Sequence, residues 1–309
     1  MRRAACLSAL AALLLGAAGS GAMPVAAAAP CFGAAARDPA HPCTNASLSF
    51  IPSLERRAAL TASGCRRTKP EVVVNCEFGS RSAHPRRTVA LLGDSHALQW
   101  RGPLAIVARA KRWRALSMWI PLCLFSTAAK YEDEALRDRC VTWNHDARAW
   151  FARHPEVDTV FISQAVFIQI TPPRGSTVLA TKAAGFRRAW AGLPRTVRHI
   201  VVIRDTPGTT NATFDCIARV VAAGTQQPGP ACSEQRRAVL PRDPAIAAVQ
   251  QTAARRVRSI DMTHYFCGPL TCPPVIGGVL VHRDLNHMTI DYARTLGPYL
   301  LRRVKGLGL

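Results

Sequence analysis

From Arg87 to the C-terminus, short uninterrupted apolar runs alternate with longer amphipathic stretches. The runs are Thr88–Leu92, Leu116–Ile120, Thr159–Ile162 and Ile200–Ile203, with a fifth and weaker one at Ile260–Tyr265. Between them, Leu98–Trp113, Cys140–His154, Ala183–Leu193 and Ala245–Val257 read as helices, and a last helix spans about Thr289–Val304. Strands without polar alternation are buried on both faces, and strands separated by helices pair in parallel. The pattern therefore predicts an α/β domain over residues 87–309, a three-layer doubly wound parallel sheet. Such sheets take their ligands at the carboxyl ends of the strands, so chemistry is expected along that edge.

The chain before Arg87 follows another pattern. Arg2 and Arg3 precede an apolar stretch, Leu7–Ala18, and small residues continue to Ala29. This is the layout of a secretory signal peptide over residues 1–29, with an uncleaved N-terminal anchor as the competing reading. Residues 30–86 are rich in Ala, Pro and Arg and show little periodicity. They read as a cysteine-containing linker or cap, stapled rather than packed. Beyond the signal stand Cys31, Cys43, Cys65, Cys76, Cys123, Cys140, Cys216, Cys232, Cys267 and Cys272. An even number of cysteines behind an export signal implies disulfides formed in an oxidising compartment, so the protein is expected to be periplasmic, cell-surface or secreted. Sequential pairing (31–43, 65–76, 123–140, 216–232, 267–272) closes the shortest loops. No CxxC pair and no cluster of His with Cys suggests a metal site.

Composition narrows the function classes. The chain has 309 residues and a formal charge of +21, yet 49% of it is apolar, which excludes a disordered polyelectrolyte. Only one long apolar run exists, which excludes a multi-span membrane protein. The arginines are scattered, with no basic block interleaved with aromatic residues and no finger or zipper spacing, so no nucleic acid is expected as a partner. The charge reads as a solvated basic surface, or as attraction to an acidic envelope polymer.

Two segments carry candidate chemistry. Leu91-Leu92-Gly93-Asp94-Ser95-His96 puts a serine where the first strand ends and a helix begins, beside backbone N–H groups that can stabilise an oxyanion. Taken alone, Ser95 is better explained as a helix cap. His282-Arg283-Asp284-Leu285-Asn286-His287-Met288-Thr289 precedes the last helix and can sit at the same sheet edge. Asp284 and His287, three apart on a turn, are close enough for the carboxylate to hold the imidazole. An imidazole so held can take the proton of Ser95. The plainer alternative is a turn aspartate beside a surface histidine. Asp94 reads as a cap or brace of the turn, Trp100, Trp143 and Trp150 read as core, and Arg204 and Asp205 end the fourth strand, where they touch substrate or pair with each other.

GDSH after a first strand with DxxH before the last helix resembles the SGNH hydrolase superfamily. More narrowly, the chain resembles the extracytoplasmic SGNH domain attached to membrane acyltransferases of the acyltransferase-3 family. The resemblance runs from about Cys31 to Leu301 and includes Val89–Trp100, Cys140-Val141-Thr142-Trp143, Ile203–Pro207, Cys272–Gly278 and Asp284–Thr289. It implies a flavodoxin-like fold, with Ser95 as nucleophile, His287 as general base and acid, and Asp284 as the orienting carboxylate. It implies action on O-acyl groups of carbohydrates, acetyl above all, as transferase or esterase and without a cofactor. The superfamily also uses a glycine and an asparagine as oxyanion donors, whereas here the third strand ends Phe161-Ile162-Ser163-Gln164-Ala165. The oxyanion and substrate candidates are therefore Asp94, Ser163, Gln164 and Arg204, beside the N–H of Ser95, and His96 is a pocket-lining residue rather than the base. The related membrane proteins carry a many-helix donor domain, so either a separate membrane acyl-donor protein or independent esterase activity is expected here. The rival function class is a non-catalytic polysaccharide-binding module with a vestigial site.

Overall fold

The structure is a computed structural model that describes residues 31–41, 43, 50–58, 73–128, 131–224 and 227–309. The signal peptide expected over residues 1–29 and the cysteine at position 65 lie outside the described residues.

Six strands form the central sheet: β1 (Cys76–Gly79), β2 (Arg87–Gly93), β3 (Trp113–Trp119), β4 (Val157–Ser163), β5 (His199–Ile203) and β6 (Val257–Ile260). Their order is β1-β3-β2-β4-β5-β6, with β1 antiparallel at the edge and the other five parallel. The parallel strands thus run in the flavodoxin-like order. Helices α2 (Glu134–Arg153), α3 (Val178–Ala191) and α5 (Pro244–Gln250) cover one face. Helices α1 (Ser95–Lys111), α6 (Ile290–Thr295) and α7 (Gly297–Gly306) cover the other, and α4 (Asn211–Ala223) follows β5.

Strand pleating explains the layers, because successive side chains point to opposite faces. Ala90, Leu92, Val160, Ile162, Ile200 and Val202 pack under α2 and α3, while Val89, Leu91, Phe161, Val201 and Ile203 pack under α1 and the C-terminal helices. Each large side chain so buried contributes roughly 1.5–3 kcal/mol relative to exposure. The expected tryptophans, Trp100, Trp143 and Trp150, are all buried.

Several boundaries differ from the sequence reading. Helix α1 stops at Lys111 because Arg112 turns left-handed (φ 57°), which frees Trp113 to begin β3. The helix expected over Ala245–Val257 ends at Gln250, and the weak fifth run is shifted: β6 is Val257–Ile260, and Thr263–Tyr265 is a single 3₁₀ turn. The last helix is two, because Pro298 lacks the N–H that a continuous helix needs at that point. Helix α4 has no counterpart in the sequence reading, although Thr210 caps it by accepting the N–H of Thr213.

Described parts of the segment expected to be stapled rather than packed do pack against the domain. Ala34 is fully buried, Gly33 N–H donates to the Gly277 carbonyl at 2.9 Å, and Arg302 reaches Asp38 at 2.7 Å. A Cβ on Gly277 would lie 2.2 Å from the Cys31 carbonyl oxygen, so this docking requires glycine there. Strand β1 likewise joins the sheet from before Arg87. Disulfides 31–43, 123–140, 216–232 and 267–272 are formed as expected, and Cys76 is itself disulfide-bonded.

Candidate active site

The carboxyl end of β2 builds the first half of the site. Gly93 leaves the strand at φ 150°, and a Cβ on it would lie 2.0 Å from the Ser163 carbonyl oxygen. Only glycine fits this crossing of β2 and β4. Asp94 follows as the N-cap of α1, its Oδ1 accepting the N–H of His96 at 2.7 Å. Its Oδ2 accepts the N–H of Ala165 at 2.9 Å, so one carboxylate ties the serine turn to the loop after β4. Asp94 is completely buried, and that burial pushes its carboxyl up to about 6. Ser95 is therefore the first residue of α1, at a helix end where backbone N–H groups lack intrahelical acceptors and favour negative charge.

The second half comes from the turn before α6. Arg283 N–H donates to the His287 carbonyl at 3.0 Å, and His282 and Met288 form an antiparallel bridge that closes the turn. Met288 N–H donates to the Gln99 side chain at 2.8 Å, which clamps the turn to α1. Inside it, Asp284 Oδ1 accepts the N–H groups of Asn286 and His287 at 3.0 and 2.8 Å. Partial burial alone would raise the Asp284 carboxyl. The hydrogen bonds from the His287 ring and from those two N–H groups prevail and hold it well below the usual carboxylate range.

The two halves meet. His287 Nε2 lies 2.8 Å from Ser95 Oγ, and His287 Nδ1 lies 2.9 Å from Asp284 Oδ2. With Nδ1–H donated to the carboxylate, Nε2 is the acceptor for the serine hydroxyl, which is the arrangement that proton abstraction needs. Ser95 opens into a cleft of about 490 Å³. Leu98, Gly102, Ala105, Ile106 and Arg109 line it at helical spacing along α1, and Trp119, Ile290 and Arg294 line its other walls. From Ser95 to Arg109 the helix rises roughly 20 Å, so the cleft can hold more than the reacting ester.

Three of the expected substrate or oxyanion residues are not brought to Ser95. Ser163 is completely buried, its Oγ sealed from solvent and without a hydrogen-bond partner among the described residues. Gln164 is also buried and spends its Oε1 on the N–H of Phe125 at 2.5 Å. Arg204 pairs with Asp261 at 3.0 Å and does not line the cleft. Ser163 sits in register beside Gly93, Gln164 is anchored on Phe125, and Arg204 turns to Asp261 while Asp205 turns to His96.

Asp205 pairs with His96 instead, Oδ1 to Nδ1 at 2.5 Å, both side chains being almost inaccessible. Burial alone would drive the His96 proton off, but the charges of Asp205 and Asp94 outweigh it and hold the imidazolium up to about 9. Asp205 Oδ2 accepts the N–H of Val166 at 2.8 Å, and Asp243 Oδ2 accepts the N–H of Asp205 at 2.9 Å. Lys182 donates to the Val166 carbonyl at 2.7 Å, and its burial lowers its ammonium to about 8. This buried network was missed in the sequence. A lysine on the apolar face of α3 and a histidine directly after the serine were its available signals. Among the described residues, no group of three or more His, Cys, Asp or Glu could hold a metal ion.

A family model described as SGNH domain (fused to AT3 domains) matches residues 64–302. The solved periplasmic domain of a lipopolysaccharide acetyltransferase from Salmonella ser. Paratyphi A superposes with a TM-score of 0.54 at 11% identity. The match covers 72% of this chain and 85% of that one, and at such identity it speaks for the fold alone. No curated protein sequence matches.

Proposed function

The chain belongs to the family of SGNH domains fused to acyltransferase-3 domains, and from that premise we propose an exported, serine-dependent O-acyltransferase or O-acyl esterase acting on cell-envelope or exported carbohydrate. Family membership ties the chain to acyl-transfer chemistry. The observation that carries the finer reading is the unbroken line from Asp284 through His287 to Ser95, with contacts of 2.9 and 2.8 Å, opening into a cleft.

The chemistry follows from that line. Ser95 Oγ attacks the ester carbonyl carbon while His287 Nε2 takes its proton. The carbonyl π pair moves to oxygen, giving a tetrahedral oxyanion beside the Ser95 N–H. Asp284 stabilises the imidazolium that has formed. Collapse breaks the bond to the leaving alcohol, which departs with the proton from His287, and an acyl group stays on Ser95. A sugar hydroxyl, or water in the esterase, then attacks the acyl carbon as its proton passes to His287; the Ser95 Oγ–acyl bond breaks, and His287 returns that proton to Ser95. By analogy with its fold neighbour, a lipopolysaccharide acetyltransferase domain, the proposal takes acetyl as the group and a glycan as the acceptor. The family's fusion to acyltransferase-3 domains supports delivery of the acyl group by a membrane acyl-donor protein. The disulfides support an oxidising, extracytoplasmic compartment.

Intact-mass and peptide analysis after brief exposure to p-nitrophenyl acetate tests the reading. One acetyl group is expected on Ser95 of the wild type, none on Ser95→Ala, and faster loss of the label when an acceptor sugar is added. A wild-type protein that never carries the label would end the acyl-enzyme reading.

A further inference from the structure

Oxyanion sites use more than one donor, and the Ser95 N–H supplies one. In the loop after β4, two N–H groups are already committed. Its Ala165 N–H is held by Asp94 at 2.9 Å and its Val166 N–H by Asp205 at 2.8 Å. Ser163 Oγ and Gln164 Nε2, at the end of β4, are sealed from solvent. A donor stands instead on the opposite half of the site. Asn286 lies in the turn between Asp284 and His287, half-buried, with its Oδ1 3.4 Å from His96 Nε2. The His96 and His287 rings are 4.9 Å apart, and His287 bonds Ser95 at 2.8 Å, so Asn286 stands within the same cluster.

The buried pair decides which way the Asn286 amide turns. With Asp205 on Nδ1 and the ring held as an imidazolium, His96 Nε2 carries a proton and can only donate. Asn286 must therefore show it the carbonyl oxygen, and its NH₂ turns to the other side. Among the described residues that NH₂ has no acceptor. We infer that Asn286 is the second oxyanion donor for acyl transfer on Ser95, oriented for that role by the buried His96–Asp205 pair. The inference rests on the acyl-enzyme reading and places the missing asparagine in the histidine turn. The NH₂ takes part in no covalent bond making: it donates a hydrogen bond to the carbonyl oxygen as negative charge grows there, and that bond weakens when the tetrahedral species collapses.

The test measures the rate of Ser95 acylation by p-nitrophenyl acetate, with thermal melts to show that each variant is folded. Asn286→Ala should lose about 10²–10³-fold, chiefly in kcat, as removal of one oxyanion donor does. Asn286→Asp separates this role from a structural one. It keeps an oxygen for His96 but offers no N–H, so it should fall at least as far as the alanine variant. Acylation by Asn286→Asp within about threefold of wild type would overturn the inference, since only the His96 contact would then matter. His96 is a positioning residue, so His96→Gln combined with Asn286→Ala should be no slower than Asn286→Ala alone. Multiplying losses would overturn the claim that His96 works through Asn286. A wild type that never acylates Ser95 removes the acyl-enzyme reading and this inference together; a wild type that acylates, matched by Asn286→Ala, removes the inference alone.

Discussion

Two histidine–aspartate pairs lie side by side at the carboxyl edge of the sheet, with ring centroids 4.9 Å apart. In one, His287 and Asp284 keep side-chain exposures of 16% and 47%; in the other, His96 and Asp205 keep 1% and 5%. The partners are chemically the same and the environments are opposite. His287 bonds its aspartate through Nδ1 and turns Nε2 to a serine hydroxyl at the mouth of a cleft, so a proton gained can be passed on. His96 also bonds its aspartate through Nδ1, but its Nε2 faces Asn286 and its ring is enclosed, so its proton stays. Access to a reacting group, rather than the pairing itself, separates a working dyad from a structural one.

The comparison can be broken by neutralising each carboxylate in turn. Asp284→Asn should lower the acylation rate by about 10³–10⁴-fold, since the imidazole loses its tautomer and the partner of its charge. Its fold should hold, because that carboxylate is half exposed. Asp205→Asn should do the reverse in its first effect. It leaves a buried imidazolium without a counter-charge, and removal of one member of a buried pair costs about 3–5 kcal/mol. Urea unfolding of both variants, alongside p-nitrophenyl acetate turnover, measures the two effects. If Asp284→Asn were the unstable variant, the assignment of roles would be inverted.

The open pair was legible in the sequence and the closed one was not. GDSH and DxxH stand at a strand end and before a helix, where short-range patterns are strong, and the fold class told both to meet at one edge. His96 and Asp205 are far apart in the chain, and nothing local in Ile203-Arg204-Asp205 says which of the two charged residues turns inward. That choice is made by tertiary packing, through the Val166 and Thr206 N–H groups that Asp205 collects. The parallel strands were legible for a similar reason: burial on both faces writes continuous apolar runs. Strand β1, only four residues long, and helix α4, which carries Cys216 of the Cys216–Cys232 bridge, carry no such signature.

A pH titration of stability reads the protonation of the closed pair directly. His96 has its proton held up to about 9 in the folded state, above the value of an unfolded histidine. Its contribution to stability is therefore complete below about pH 6.5 and is lost as pH rises toward 9. Asp94 and Asp243, raised to about 6 by burial, have finished their own loss below that window. Lys182, lowered to about 8, works in the opposite sense, adding stability as pH rises from about 8 toward the unfolded lysine value. The urea midpoint of the wild type should thus fall between about pH 7 and 8, and that of His96→Gln should stay nearly level there. A wild-type midpoint that rose across this interval would show that the closed pair is not held as an ion pair.

The smallest expected effect lies one residue from Asp205. Arg204 and Asp205 are consecutive on an extended strand end, so their side chains leave on opposite sides. Asp205 goes in to His96, while Arg204 goes out to Asp261, whose side chain is 51% exposed. An ion pair as open as this contributes about 0–1 kcal/mol. Arg204→Ala should shift the urea midpoint barely, and Ser95 acylation should stay within about twofold of wild type, since Arg204 lies off the cleft. A loss of acylation approaching that of Asn286→Ala would mean that the arginine swings from Asp261 to the substrate. The boundary between the closed scaffold and the open site would then run through β5 rather than between the two histidines.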